Sequence, residues 1–142
     1  NLRKRGVTVT FLIHDLETMR YKDTSELPLM KRLRIYLEET RLIRTADYII
    51  CHNTWFDINV IYGEMKRMNI PTTILEKKAY CTMLSGTDLC AIEWDGPGYK
   101  WPRLQELHKY LFRKEFSDAH DAMADVKAVA RCFWEMRDRR YI

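Results

Sequence analysis

Residues 47–57 read Asp-Tyr-Ile-Ile-Cys-His-Asn-Thr-Trp-Phe-Asp (DYIICHNTWFD), and this stretch decides the fold. A short apolar run, Tyr48, Ile49, Ile50 and Cys51, has the length and β-branched content of a buried strand. The polar residues from His52 onward turn the chain. From Asp57 to Met68 the period becomes helical, with Val60, Ile61 and Met65 recurring on one side. A buried strand handing over to a helix is the unit from which α/β sheets are built.

Working outward, the same alternation continues. Residues 7–13 (VTVTFLI) form a second apolar strand pattern. Ser25 can cap a helix with Pro28 in its first turn, and Leu29, Leu33, Tyr36 and Leu37 carry it to about Arg44. Asn69 and Pro71 break the helix that follows the turn, and residues 78–83 read as a brief strand or extended segment. Asp95-Gly96-Pro97-Gly98 is the strongest turn signal in the chain. Residues 102–112 read as a helix opened by Pro102. Ser117 or Asp118 can cap a last helix that runs to about Met136 with Ala122, Val126, Val129, Ala130 and Phe133 facing inward. The expected class is therefore α/β, in a single domain over residues 1–142, with parallel pairing in part of the sheet. In such sheets functional residues gather past the C-terminal ends of strands, where residues 52–57 lie.

Composition narrows the field. The 142 residues suffice for one core, and 46% hydrophobic with 31% charged residues is ordinary for a soluble globular protein. No apolar run is long enough to cross a bilayer and no signal-peptide pattern opens the chain, so a soluble, cytoplasmic protein with no membrane partner is expected. Cys51, Cys81, Cys90 and Cys132 form no C-x-x-C pair, which argues against a zinc ribbon or a disulfide scaffold and for reduced, mostly buried thiols. A net charge of +4 and a pI near 8.9 permit a polyanionic substrate without demanding one.

Two segments carry candidate chemistry: residues 52–57 (HNTWFD) after the buried strand, and residues 120–126 (HDAMADV) at the start of the last helix. They resemble motifs II and III of the DnaQ-like (DEDDh) 3′–5′ exonucleases, H-N-x-x-F-D and H-x-A-x-x-D, a group that includes the polymerase III epsilon subunit and the Trex-like nucleases. Residues 80–83 (YCTM) and 99–107 (YKWPRLQEL) look like segments of a bacterial and phage branch. Lys100 and Trp101 read there as surface and packing residues. The likeness runs from His14 onward.

The resemblance implies an RNase H-like fold and stepwise hydrolysis at the 3′ end of single-stranded DNA, or of RNA, with release of nucleoside monophosphates. A DNA polymerase would be a natural partner. Two Mg²⁺ or Mn²⁺ ions roughly 4 Å apart would hold the phosphate and the attacking water, and carboxylates are their hard ligands. Asp57 and Asp125 would be the metal-site carboxylates. His120, whose ordinary pKa suits proton transfer near neutrality, would be the general base. His52, Asn53, Trp55 and Phe56 would line the substrate. Of these, Phe56 reads most simply as core, and Asn53 as satisfying the turn backbone or touching the terminal nucleotide. Trp55 reads equally as a base-stacking face or as a cover for the core.

Motif I, D-x-E on the first strand, has two placements. Asp15-Leu16-Glu17 follows residues 7–13 directly, but only 42 positions separate Asp15 from Asp57. Alternatively, residues 13–18 (IHDLET) match an I-H-G-I-T segment after the third strand, and motif I lies upstream of Asn1. The second placement makes this an N-terminally incomplete copy that lacks its first strands and is weak or inactive alone. The rival class is a non-catalytic nucleic-acid-binding or partner-docking module on the same fold.

Overall fold

A computed structural model describes residues 6–11, 29–117, 119 and 121–142. The expected α/β class holds: among the described residues, five α-helices accompany a small sheet. In order the elements are β1 (Val9–Phe11), α1 (Leu29–Thr45), β2 (Tyr48–Cys51), α2 (Thr54–Arg67), a 3₁₀ turn (Ile74–Glu76), β3 (Lys78–Cys81), α3 (Thr82–Cys90), α4 (Leu104–Phe112) and α5 (Ala122–Asp138). The strands are hydrogen-bonded in the order β1-β2-β3. Two compact units divide the chain: Asn1–Ile49 with Trp55–Lys78, and Ile50–Thr54 with Ala79–Ile142.

In the first unit Ile43, Ala46, Ile49, Ile61, Met65, Ile70 and Ile74 are buried. The Asp47 carboxylate accepts from the Thr8 amide at 2.7 Å, and the Asp47 amide donates back to the Thr8 carbonyl at 2.9 Å. Lys77 Nζ donates to the Arg44 carbonyl at 2.9 Å, placing a cation on the negative end of α1. Asn69 ends α2, as its residue type suggested. It adopts a left-handed φ of 55°, which Asn tolerates better than most residues. Its amide reaches the Lys66 carbonyl at 3.1 Å, and the next amide, of Ile70, reaches Met65 at 2.8 Å. Two otherwise orphaned carbonyls are thus satisfied while Ile70 turns into the core.

In the second unit α3, α4 and α5 pack on a cluster of Leu107, Leu111, Cys132 and Met136. Helix α3 is absent from the sequence expectation. Its Ser85-Gly86-Thr87-Asp88 run is poor helix-forming sequence, and packing supplies what propensity lacks. Gly86 lets α3 approach α4: a Cβ there would sit 2.9 Å from Leu107 Cδ1. Gly86→Val should therefore cost about 1–3 kcal/mol through overpacking, read as a lower urea midpoint.

Three other expectations need correction. Helix α4 begins at Leu104, two residues after Pro102, and Glu106 reaches back to the Arg103 amide at 2.6 Å. Ser117 does not cap α5, and Asp118 lies outside the described residues. Asp121 caps the helix, its Oδ1 accepting from the Ala124 amide at 2.9 Å. Along α5 the buried positions are Ala128, Val129, Cys132, Phe133 and Met136, whereas Val126 and Ala130 are half-buried; the Ala122 side chain lies outside the described residues. Helices of this spacing bury a narrower stripe than a pattern of apolar letters suggests.

All four cysteines are free. Burial pushes the Cys132 thiol up to about 12 and the Cys90 thiol up to about 11, so both stay protonated near neutrality. No described helix is long and apolar enough to cross a membrane.

Candidate functional site

Strand β2 is buried along Ile49, Ile50 and Cys51, and the chain then turns through His52 and Asn53 into α2. Burial along α2 follows one stripe: Thr54, Asp57, Ile61 and Met65. Their spacing of three or four residues is one helical face. Asp57, 4% exposed, therefore shares the core-facing stripe with apolar residues, and its position in the first turn favours a negative charge. The Thr54 hydroxyl is buried without a hydrogen-bond partner among the described residues.

The adjoining face of α2 is open. Trp55 is 78% exposed and Phe56 42% exposed, while the Trp55 carbonyl accepts from Asn59 Nδ2 at 2.6 Å. Phe56 is thus not the core anchor that the sequence suggested, and Trp55 does not cover the core. A one-residue difference in helical phase decides this, and the apolar letters alone do not reveal it.

His52 belongs to the second unit, and both its ring nitrogens meet protein atoms. Nε2 lies 2.9 Å from the Pro102 carbonyl and Nδ1 lies 3.0 Å from Thr82 Oγ1. A carbonyl only accepts, so the proton sits on Nε2 and the neutral ring takes a hydrogen bond from the Thr82 hydroxyl at Nδ1. That hydroxyl is fully buried and also 3.1 Å from the Cys51 carbonyl; with one proton it serves one acceptor at a time. Burial lowers the His52 pKa to about 4, so the ring is neutral at physiological pH. The result is a clasp joining the end of β2, the start of α3 and the segment before α4. Asn53 is half-buried, and its amide makes no hydrogen bond to another described residue.

Asp125 stands half-buried in the first turn of α5, in the second unit, and its amide donates to the Asp121 carbonyl at 2.9 Å. His120 lies outside the described residues, as do Asp15 and Glu17 of the two motif I placements. A cavity of about 480 Å³ opens beside α5 at Phe116, Asp121, Lys127 and Arg131; Asp125 is not in its lining. Among the described residues no group of three or more His, Cys, Asp or Glu side chains is gathered as a cation would require. No step through a metal follows from these residues.

Fold and site together define a mixed α/β protein with an aromatic-bearing strand-to-helix turn. A family model described as "Glucosyltransferase 3-like, N-terminal domain" matches residues 1–56, the stretch that ends in that turn. No curated protein and no solved structure matches the chain.

This match overturns the exonuclease assignment. The family found is glucosyltransferase-like and not DnaQ-like, and it carries neither the nuclease reaction, the nuclease enzyme class nor the docking-module rival built on that fold. The physical reason for the miss is the brevity of the motifs. Six-residue strings with an initial His and a final Asp satisfy helix-start and turn preferences in many contexts. Their chemistry depends on the convergence of side chains, which spacing does not supply.

Proposed function

We propose that the chain is a glucosyl-recognising domain that binds an activated glucose donor through the turn into α2. The observation that carries this reading is the family match over residues 1–56, whose last two residues are the exposed Trp55 and Phe56. Glucosyl transfer requires a domain that holds a sugar carrying a leaving group, in practice a nucleoside diphosphate. An exposed aromatic ring suits one face of a pyranose. The ring's negative π-face attracts the weakly positive C–H bonds of that face, and both apolar surfaces leave water. The N-terminal end of α2, a helix of 14 residues, adds a positive partial charge suited to the donor's phosphates. On this reading residues 1–142 act as one functional domain.

Uridine diphosphate glucose is the probe. Saturable calorimetric binding is expected for the intact chain, and Trp55→Ala should weaken it about tenfold. Repeating the titration with Mg²⁺ or Mn²⁺ reads any cation that accompanies the phosphates. Unaltered affinity in Trp55→Ala would remove the indole from the site.

A further inference from the structure

We propose that the groove between the second half of α1 and residues 71–73 is an anion site that takes a small phosphomonoester. It is separate from the donor site. The 14 residues of α2 lie between the Trp55 turn and this groove, about 20 Å at the helical rise per residue.

Two cavities, of about 380 Å³ and 410 Å³, adjoin here and share Leu37, Thr40 and Arg44. Both walls belong to the first unit, and both are anchored. On one side Leu37, Thr40, Arg41 and Arg44 recur every three or four residues and so share one face of α1, while Ile43 and Ala46 bury another. On the other side Ile74 is fully buried, and the Glu76 amide donates to the Thr73 carbonyl at 3.0 Å. The turn carrying Thr72 and Thr73 is thus held from within, and little ordering is left for a ligand to impose.

Charge selects the occupant. The lining carries two guanidinium groups, Arg41 and Arg44, and no carboxylate; Glu38 and Glu76 lie in neither cavity. Neither arginine forms an ion pair among the described residues. The negative end of α1 opposes an anion here, but Lys77 Nζ sits on the Arg44 carbonyl and offsets it. Hydroxyl donors complete the set. Thr72 Oγ1 accepts from the Ile74 amide at 3.2 Å and keeps its own proton to give, and the Thr73 hydroxyl makes no hydrogen bond to a described residue. Two forked cations and two hydroxyls match the three terminal oxygens of a phosphate better than the two of a carboxylate. Leu37 and Pro71 give an apolar edge for the body of the ester. The donors converge on one concavity rather than following a track, which favours a small ester over a polymer backbone.

The test is calorimetric titration of the full chain with phenyl phosphate. Saturable binding is expected, tighter than that of inorganic phosphate, and affinity should fall about tenfold in Arg41→Gln and in Arg44→Gln. Both side chains are exposed, and an unchanged circular dichroism spectrum confirms that the variants fold. Trp55→Ala should bind phenyl phosphate as the wild type does, whatever becomes of its uridine diphosphate glucose binding. No saturable binding, equal affinity in the arginine variants, loss of binding in Trp55→Ala, or tighter binding of a single-stranded oligonucleotide at the same arginines would each overturn the site. Failure of the donor reading leaves this groove standing.

Discussion

His52→Ala is expected to destabilise the chain by about 1–3 kcal/mol near neutral pH, because the buried Pro102 carbonyl is left unsatisfied while the Thr82 hydroxyl falls back on the Cys51 carbonyl alone. The Pro102 carbonyl loses its donor, and the fully buried Thr82 hydroxyl loses one of its two acceptors. The loss should itself depend on pH. In the unfolded chain the ring titrates near 6.5, and in the folded chain burial lowers it to about 4. Between those values the unfolded state binds the proton first, so the ring's contribution is complete above 6.5 and is lost as pH falls towards 4. The shift corresponds to about 3 kcal/mol. Burial also lowers the His108 pKa, which acts with the same sign, but the difference between wild type and variant cancels it. Urea unfolding of both proteins should show a wide gap at neutral pH that narrows on acidification. A gap independent of pH would mean that the ring is not held neutral by the fold.

Leu107→Ala carries the other large effect, about 2–5 kcal/mol. Leu107 is fully buried and packs with Leu111, Cys132 and Met136 where α3, α4 and α5 meet. Its Cδ1 also faces the space that a Cβ on Gly86 would occupy. Removing the leucine opens a cavity beside the glycine, so Gly86→Val should be less harmful, or even favourable, in the Leu107→Ala background. A double-mutant cycle measures that coupling directly. Strict additivity of the two substitutions would show that the α3–α4 approach does not rest on this pair.

The elements that the sequence announces are those where local preference and packing agree. Ile49 and Ile50 in a short apolar run make β2 legible, and Asn69 followed by Pro71 marks the end of α2. Helix α3 is hidden because Ser85, Gly86 and Asp88 favour other conformations, and only the neighbouring helix makes Gly86 an asset. The cap of α5 is ambiguous in sequence, since Ser117, Asp118 and Asp121 are all able residues; the bond to Ala124 selects the last. The candidate site is less legible still. His and Asp in residues 52–57 suggest chemistry by their type, yet His52 is clasped by protein atoms and Asp57 shares a stripe with Ile61 and Met65. The exposed side chains are Trp55, which the letters leave even between a stacking face and a cover for the core, and Phe56, which they assign to the core.

Donor recognition at the turn into α2 is tested most directly by one calorimetric comparison on the intact chain: uridine diphosphate glucose against a single-stranded oligodeoxynucleotide with a free 3′ end. Saturable heat with the sugar nucleotide, and none of comparable affinity with the oligonucleotide, is the expected outcome. Tight binding of the oligonucleotide with no response to the sugar nucleotide would contradict a glucosyl-recognising domain.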